Sequence, residues 1–321
     1  PTQGHVLTVD SNGEASFAAA SGGGLSSDAQ FNTVGGTNAG DSFSGTDATN
    51  NTLIGYNAGT NITTADDNTG LGINVIHDTT TGKYNTAVGT SALFKNTTGQ
   101  YNVAVGYRAL IGNTTLNGSV AVGANAISSF SYTGYSNTAV GHYAAQYITS
   151  GYRNTYIGEN AGNSTTSGNQ NTLIGSQTGY SQTTANNNTS IGHKAGYAVT
   201  TGSKNVAVGS NTLDANTTGS NNVAVGYEAL ENSTWVSNNT AVGYLAGNAV
   251  TNGAQCTYIG QFAAGVATTG SYNTALGSNT MWSLTTGDSN TAIGQQAGGL
   301  ITTGSDHVLI GRDAGDTITT G

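Results

Sequence analysis

Apolar and polar positions repeat along this chain in a frame of seventeen residues. The frame is set by the glycine that closes each run of the type Asn-Thr-Ala-Val-Gly. These glycines are Gly55, Gly72, Gly89, Gly106, Gly123, Gly141, Gly158, Gly175, Gly192, Gly209, Gly226, Gly243, Gly260, Gly277, Gly294 and Gly311. Successive spacings are 17, with one of 18 between Gly123 and Gly141, so sixteen units run from residue 51 onward. The extra residue is expected in a loop near Ser129–Gly134. The position before each glycine is Ile, Leu or Val, and the one two residues earlier is Thr or Val. Aliphatic or β-branched residues at i and i+2 have the period of a strand, which predicts a short strand with this pair turned inward. The expected core is therefore Ile54, Val88, Val105, Val122, Ile157, Ile174, Val208, Val225, Ile259, Ile293 and Ile310. The residue between the pair is usually Ala, but Leu53, Tyr156, Leu173, Tyr258 and Leu309 also occur there, and it is expected on the opposite face.

Polar columns complete the unit. Four residues before the glycine stands Asn in thirteen of sixteen units, with Ser119, Cys256 and His307 as exceptions. If successive coils stack, Asn51, Asn85, Asn102, Asn154, Asn171, Asn205, Asn222, Asn273 and Asn290 form a ladder in which each amide bonds those above and below. Eight residues after the glycine stands Thr in fifteen units and Ser131 in the other. Two residues further, Gly recurs in eleven, as in Gly82, Gly99 and Gly151. This Thr-Thr-Gly reads as a strand end followed by a turn of positive φ, giving roughly two short strands per unit. The predicted fold is all-β: a β-solenoid or β-roll of 17-residue coils. Stacked at the strand spacing, sixteen coils would form a rod of about 75 Å.

Such a coil has a thin core, and a second buried surface is expected between chains. The Ala/Leu/Tyr column could supply it. So could the position four after the glycine, where Leu93, Leu110, Leu213, Leu230 and Met281 alternate with Gly59, Gly162, Gly247 and Gly298. A homo-oligomer, specifically a homotrimeric fibre, is the resulting expectation. The first fifty residues differ. Residues 1–24 read as a hairpin (His5–Val9, a turn at Asp10–Gly13, then Ala15–Phe17) and a Gly-rich joint at Ser21–Gly24. Residues 25–50 read as a degenerate repeat or cap, with Asn32-Thr33-Val34-Gly35 an off-register echo, and 51–321 as the repeats.

Composition narrows the function. Gly is 49 of 321 residues and only 7% are charged, too polar for a thick core and too poor in Pro for a typical disordered chain. Net charge is −9 with seven Lys plus Arg, which argues against a nucleic-acid partner. The single Cys256 excludes an intrachain disulfide and a cysteine zinc site. No run of 18 apolar residues suggests membrane insertion. The chain starts at Pro1 and stops mid-pattern, as a fragment or processed product would.

Units such as Asn85-Thr86-Ala87-Val88-Gly89 with Thr97-Thr98-Gly99, and Asn290-Thr291-Ala292-Ile293-Gly294 with Thr302-Thr303-Gly304, resemble the repeats of phage tail-fibre proteins. They are also similar to the heads of trimeric autotransporter adhesins. The resemblance implies a trimer of β-helical or β-roll chains in a virion tail fibre or on an extracellular surface. It further implies host attachment through a glycan or receptor, and other virion tail proteins as partners. A bacterial trimeric adhesin head is the alternative.

Candidate chemistry is sparse, and no catalysis and no cofactor are expected. Cys256 has no basic neighbour to activate it, and both it and His307 read as replacements in the Asn column. His5, His77, His142 and His193 lack metal-ligand spacing. A polysaccharide-cleaving tail spike would need paired carboxylates. Asp66, Asp67, Asp78, Asp214, Glu228, Glu231, Asp313 and Asp316 read instead as solvated loop charges, with Glu228 and Glu231 beside Trp235 the closest grouping. Tyr84, Tyr101 and Tyr272 precede ladder positions while Tyr107 and Tyr227 follow the anchor glycine, so rows of rings are expected that pack protomers or contact glycans. Ice binding by the Thr column is a weaker alternative, because adjacent threonines in a strand point to opposite faces.

Overall fold

The computed structural model describes residues 5–9, 15–19, 25–44 and 47–320, which fold as strands and turns without a helix. The turn expected at Asp10–Gly13, the joint at Ser21–Gly24 and the closing Gly321 lie outside the described residues. The chain divides into two compact units, residues 1–133 and 134–321.

In the first unit, β1 (His5–Val9) and β2 (Ala15–Ala19) pair as an antiparallel hairpin, with His5 opposite Ala19. After β3 (Ser26–Ser27), the solenoid runs through β4 (Thr33–Gly35), β5 (Thr52–Ile54), β6 (Thr69–Leu71), β7 (Thr86–Val88), β8 (Val103–Val105) and β9 (Val120–Val122). Each pairs with the next in parallel register, Thr33 on Thr52, Thr52 on Thr69 and onward. β4 is thus a rung in register with the rest: Asn32 occupies the ladder position, with Gly36 at φ +113° as its anchor. The echo at 32–35 is shifted by one residue only when Gly35 is taken as the anchor.

The second unit winds in the same way from Thr138–Val140 to Val308–Ile310. Its parallel register joins Thr138 to Thr155 at the start and Ile293 to Ile310 at the end. In both units each 17-residue turn carries one three-residue strand; the rest of the coil, including the Thr-Thr-Gly stretch, is turn and bend. The second strand expected per unit is therefore replaced by corners that bond rung to rung through single backbone hydrogen bonds, such as Thr97 N–H to the Thr114 carbonyl at 2.7 Å.

The inward face is the reverse of the one expected. The middle residue of each strand is buried, and the flanking pair is half-buried or exposed. Ile54, Val88, Val105, Val122, Ile174, Val208, Val225, Ile259 and Ile293 are only partly covered. Ile157 and Ile310 are 39% and 69% exposed. Ala87, Ala104, Leu53, Tyr156 and Tyr258 fill the interior instead. The enclosed space is narrow, and most of it is taken by side chains arriving from the opposite wall. These are Ala58 or Ala92 three residues after the anchor, Leu93, Leu110, Leu213 or Met281 four after it, and Ile62, Ile148 or Leu284 seven after it. The two columns expected to pack chain against chain therefore make up the core of a single chain.

Volume is traded across that core. Where the strand centre is Leu53, Tyr156 or Leu173, the residue four after the anchor is Gly, and opposite Tyr258 it is Ala264. A Cβ on Gly59 would lie 2.7 Å from Leu53 Cδ1, one on Gly179 would lie 2.6 Å from Leu173 Cδ1, and one on Gly162 would collide with the Tyr156 ring. At the centres Ala87, Ala104, Ala207, Ala224 and Ala275 the opposing residue is Leu93, Leu110, Leu213, Leu230 or Met281, whereas Ala241 and Ala292 pair with Gly247 and Gly298, whose space Tyr258 and Leu309 of the next rung take up. Interiors packed to crystal-like density require this complementarity.

The recurring glycine ten residues after the anchor has a role other than the expected positive φ. A Cβ on Gly82 would meet the Gly99 carbonyl and lie 2.8 Å from Asn96 Nδ2, so what the position needs is close approach between rungs. Left-handed backbone falls two residues later, at Tyr84, Tyr101, Asn187 and Asn221, and again two and four residues after each anchor. Asn is frequent two after the anchor, at Asn57, Asn74, Asn125, Asn160, Asn211 and Asn279, as its tolerance of the left-handed region explains.

Candidate functional site

The asparagine ladder is the most regular chemical feature of the molecule. Asn51 Oδ1 accepts the backbone N–H of Asn68 at 3.0 Å and its Nδ2 at 3.1 Å, and Asn51 Nδ2 donates to the Ala65 carbonyl at 2.8 Å. The same arrangement runs through Asn85 and Asn102, then through Asn154, Asn171, Asn205, Asn222, Asn273 and Asn290. Each amide closes its own coil fourteen residues on and receives the next coil seventeen residues on. The side chains are buried, so a fully bonded amide holds both coils at once, while an unbonded one would carry its desolvation cost.

The exceptions reuse the same contacts. Ser119 donates its N–H to Asn102 Oδ1 at 3.0 Å, and the buried Tyr132 hydroxyl lies 2.8 Å from its Oγ. Cys256 donates its N–H to Asn239 Oδ1 at 2.8 Å, places Sγ 3.4 Å from the Gly270 carbonyl and accepts the Asn273 N–H at 3.5 Å. Burial pushes its thiol pKa up, which suppresses the nucleophilic thiolate. Replacing Cys256 with Asn is expected to raise unit stability by about 1 kcal/mol, the value of exchanging long sulfur contacts for amide bonds. Tyr156 already shares a rung with Asn154, so Tyr258 is no obstacle. Urea denaturation of the variant against the parent checks this. His307 donates its N–H to Asn290 Oδ1 at 3.1 Å.

The threonine column is a second ladder. Thr97 Oγ1 donates to the Thr114 carbonyl at 2.8 Å, Thr200 to Thr217 at 3.0 Å and Thr285 to Thr302 at 2.9 Å. These hydroxyl protons are donated within the coil stack, from one rung to the next.

The five tyrosines singled out from sequence do not converge on one place. Tyr84 and Tyr101 stack at 4.9 Å on successive rungs. Tyr107 lies beside the Arg108 guanidinium, 5.6 Å from its ring centre. Tyr227 stacks on Tyr244 at 5.6 Å, and the Glu228 carboxylate bonded to its hydroxyl pushes its pKa up. Tyr272 is 62% exposed. Sequence reasoning missed two further stacks, Tyr135 on Tyr152 at 5.1 Å and Tyr180 on Tyr197 at 5.2 Å. The signal was present, because both pairs are seventeen residues apart.

The carboxylates regroup as well. Asp214 and Glu231 occupy the same column on successive rungs, five residues after Gly209 and Gly226. Burial raises the pKa of both, and the charge of the other acids adds to this at Glu231. Asn248, next in the column, donates to Glu231 Oε2 at 2.9 Å. Asp66 behaves oppositely: burial raises its pKa, but its bonds to Lys83 and to the Thr49 N–H and hydroxyl outweigh that and hold it low. Among the described residues no three His, Cys, Asp or Glu side chains come together to hold a metal, and no helix is long and apolar enough to cross a membrane.

Outside the ladders, a regular surface in each unit is the outer face of the strands. It carries a rank of Thr or Val and a rank of Ile, Val or Leu, including Leu71, Ile191, Val223 and Leu276, each between 36% and 47% exposed. Comparison of the chain with family models, with curated proteins and with solved structures returns no match in any of the three.

Proposed function

We propose that this chain is a structural segment of a fibre or surface adhesin, a tail-fibre shaft in the first instance, that associates with copies of itself and presents attachment contacts in many copies. The observation that carries the reading is the unbroken register of the columns within each unit. A surface group that the repeat conserves recurs at the strand spacing, so a weak contact through it is repeated on one frame and avidity multiplies it. Self-association is supported by the outer strand face, where a rank of Ile, Val or Leu recurs from rung to rung in each unit beside a rank that is mostly Thr, and Leu71, Ile157, Ile191 and Leu276 of the first rank are exposed. Three chains packed through this face would bury it. A trimeric bacterial adhesin head uses the same logic and is the alternative origin.

Sedimentation equilibrium at micromolar concentration tests the assembly. The expected mass is three chains. Val208→Lys with Val225→Lys, which alters the outer face and leaves the ladders intact, is expected to reduce it to one chain with unchanged far-ultraviolet circular dichroism. A folded parent monomer would sink the assembly reading. Attachment itself is tested by binding to a glycan array. The stacked Asp214 and Glu231 favour one competing reading, polysaccharide cleavage, which shortening of a bound polysaccharide would reveal.

A further inference from the structure

In the second unit an open groove of about 280 Å³ is lined by Asn279, Trp282, Gln296, Gly299, Leu300 and Asp316. Its origin can be read from one column. Five residues after successive anchors stand Gly265, Trp282, Gly299 and Asp316. The Trp282 ring lies over Gly265, where a Cβ would come within 2.7 Å of Cζ3, and its orientation is set by edge contact with Phe262 at 5.3 Å and 87°. Gly299 then contributes no side chain, so a gap opens between Trp282 and Asp316. Two rungs separate those residues, about 10 Å at the strand spacing, which is room for one six-membered ring. The floor is held by backbone bonds, Ser283 N–H to the Gly299 carbonyl at 3.1 Å and Gly299 N–H to the Gln296 carbonyl at 3.0 Å, so the groove is preformed.

Its chemistry has two halves. Trp282 and Leu300, 40% and 48% exposed, offer an apolar platform. Asn279 and Gln296 offer amides that both donate and accept, and Asp316 offers a carboxylate acceptor. No cation lines the groove and Asp316 carries negative charge, so an anionic ligand is disfavoured there. A ring with one apolar C–H face and a rim of hydroxyls satisfies both halves. We propose that this groove binds one neutral pyranose unit of a glycan, stacked on Trp282 with its hydroxyls bonded to Asn279, Gln296 and Asp316. The proposal stands on the groove alone and goes beyond the fibre reading, which would survive its failure.

The chain has two tryptophans, Trp235 and Trp282, so a Trp235→Phe background leaves Trp282 as the only indole reporter. Emission is followed during titration with methyl glucoside, methyl galactoside and methyl mannoside, and with sialic acid as the anionic control. A saturable change with at least one neutral glycoside and none with sialic acid is expected. Gly299→Phe, which fills the gap with a side chain, is expected to weaken binding about tenfold or more. Gln296→Ala and Asp316→Ala serve the same end should Gly299→Phe disturb the fold. Unchanged emission with all three neutral sugars, or undiminished binding in every folded groove variant, would overturn the proposal.

Discussion

Replacing Gly226 with alanine is expected to destabilise the second unit by about 4 kcal/mol or more. The residue has φ +138°, and an added Cβ would come within 2.7 Å of the Gly243 carbonyl carbon and closer still to its oxygen. The obstacle is backbone of the next rung, so no rotamer change relieves it. Two costs add: positive φ for an L side chain, about 1–3 kcal/mol, and separation of adjacent strands at the point where Gly243 N–H bonds the Val225 carbonyl at 2.8 Å. Each rung leans only on its neighbours, so the damage should appear as a local break, with a broadened or split thermal transition. Ser210→Ala, at the residue following another anchor, is the control, expected to stay within about 0.5 kcal/mol of the parent. Urea and thermal denaturation followed by circular dichroism measure both, and a sharp, parent-like transition for the glycine variant would contradict the rung-contact account.

Asn222→Ala is expected to cost about 3–5 kcal/mol by a different route. The amide of Asn222 donates to Asn205 Oδ1 at 3.1 Å and to the Val236 carbonyl at 2.8 Å, and accepts the Asn239 N–H at 3.0 Å. Alanine leaves that N–H and that carbonyl buried without these partners, and an unpaired buried group costs about 1–3 kcal/mol. Asn222→Ser should recover part of the loss through its hydroxyl, as Ser119 does on its own rung with the help of Tyr132. Hydrogen exchange is the discriminating measurement: the Asn239 amide should exchange faster in the alanine variant, while amides several rungs away, such as Asn171, keep their protection.

The column that carries this effect was legible in the chain because it asks for one chemical capability at one place in every turn. Asn at thirteen of sixteen positions is hard to account for otherwise. The threonine column was equally visible, although its purpose, hydroxyl to carbonyl seventeen residues on, was not. The paired tyrosines were readable from spacing alone, and so was the trade of large for small between the strand centre and the position four after the anchor. Leu53 with Gly59 and Leu173 with Gly179, against Ala87 with Leu93, form a volume correlation that would have placed both columns in one core. The Trp282 groove lay beyond such reading. It exists because Gly299 falls between two longer side chains in a column that has no fixed residue type.

The amino-acid sequence alone determined the length of the turn, its all-β character, the parallel stacking of like on like and the identity of the bonded columns. All of these follow from repetition, which makes each position face its own copy. Which side of the strand is the inside was decided only by the tertiary structure. Alternation separates two faces but does not label them when Val or Ile lies on one and Ala, Leu or Tyr on the other. The label comes from the space enclosed by a seventeen-residue coil. Side chains from the far wall nearly fill that space on most rungs, so the strand turns in an alanine there, or a Leu or Tyr where the far wall gives way, and its Ile, Val and Leu rank is left outside.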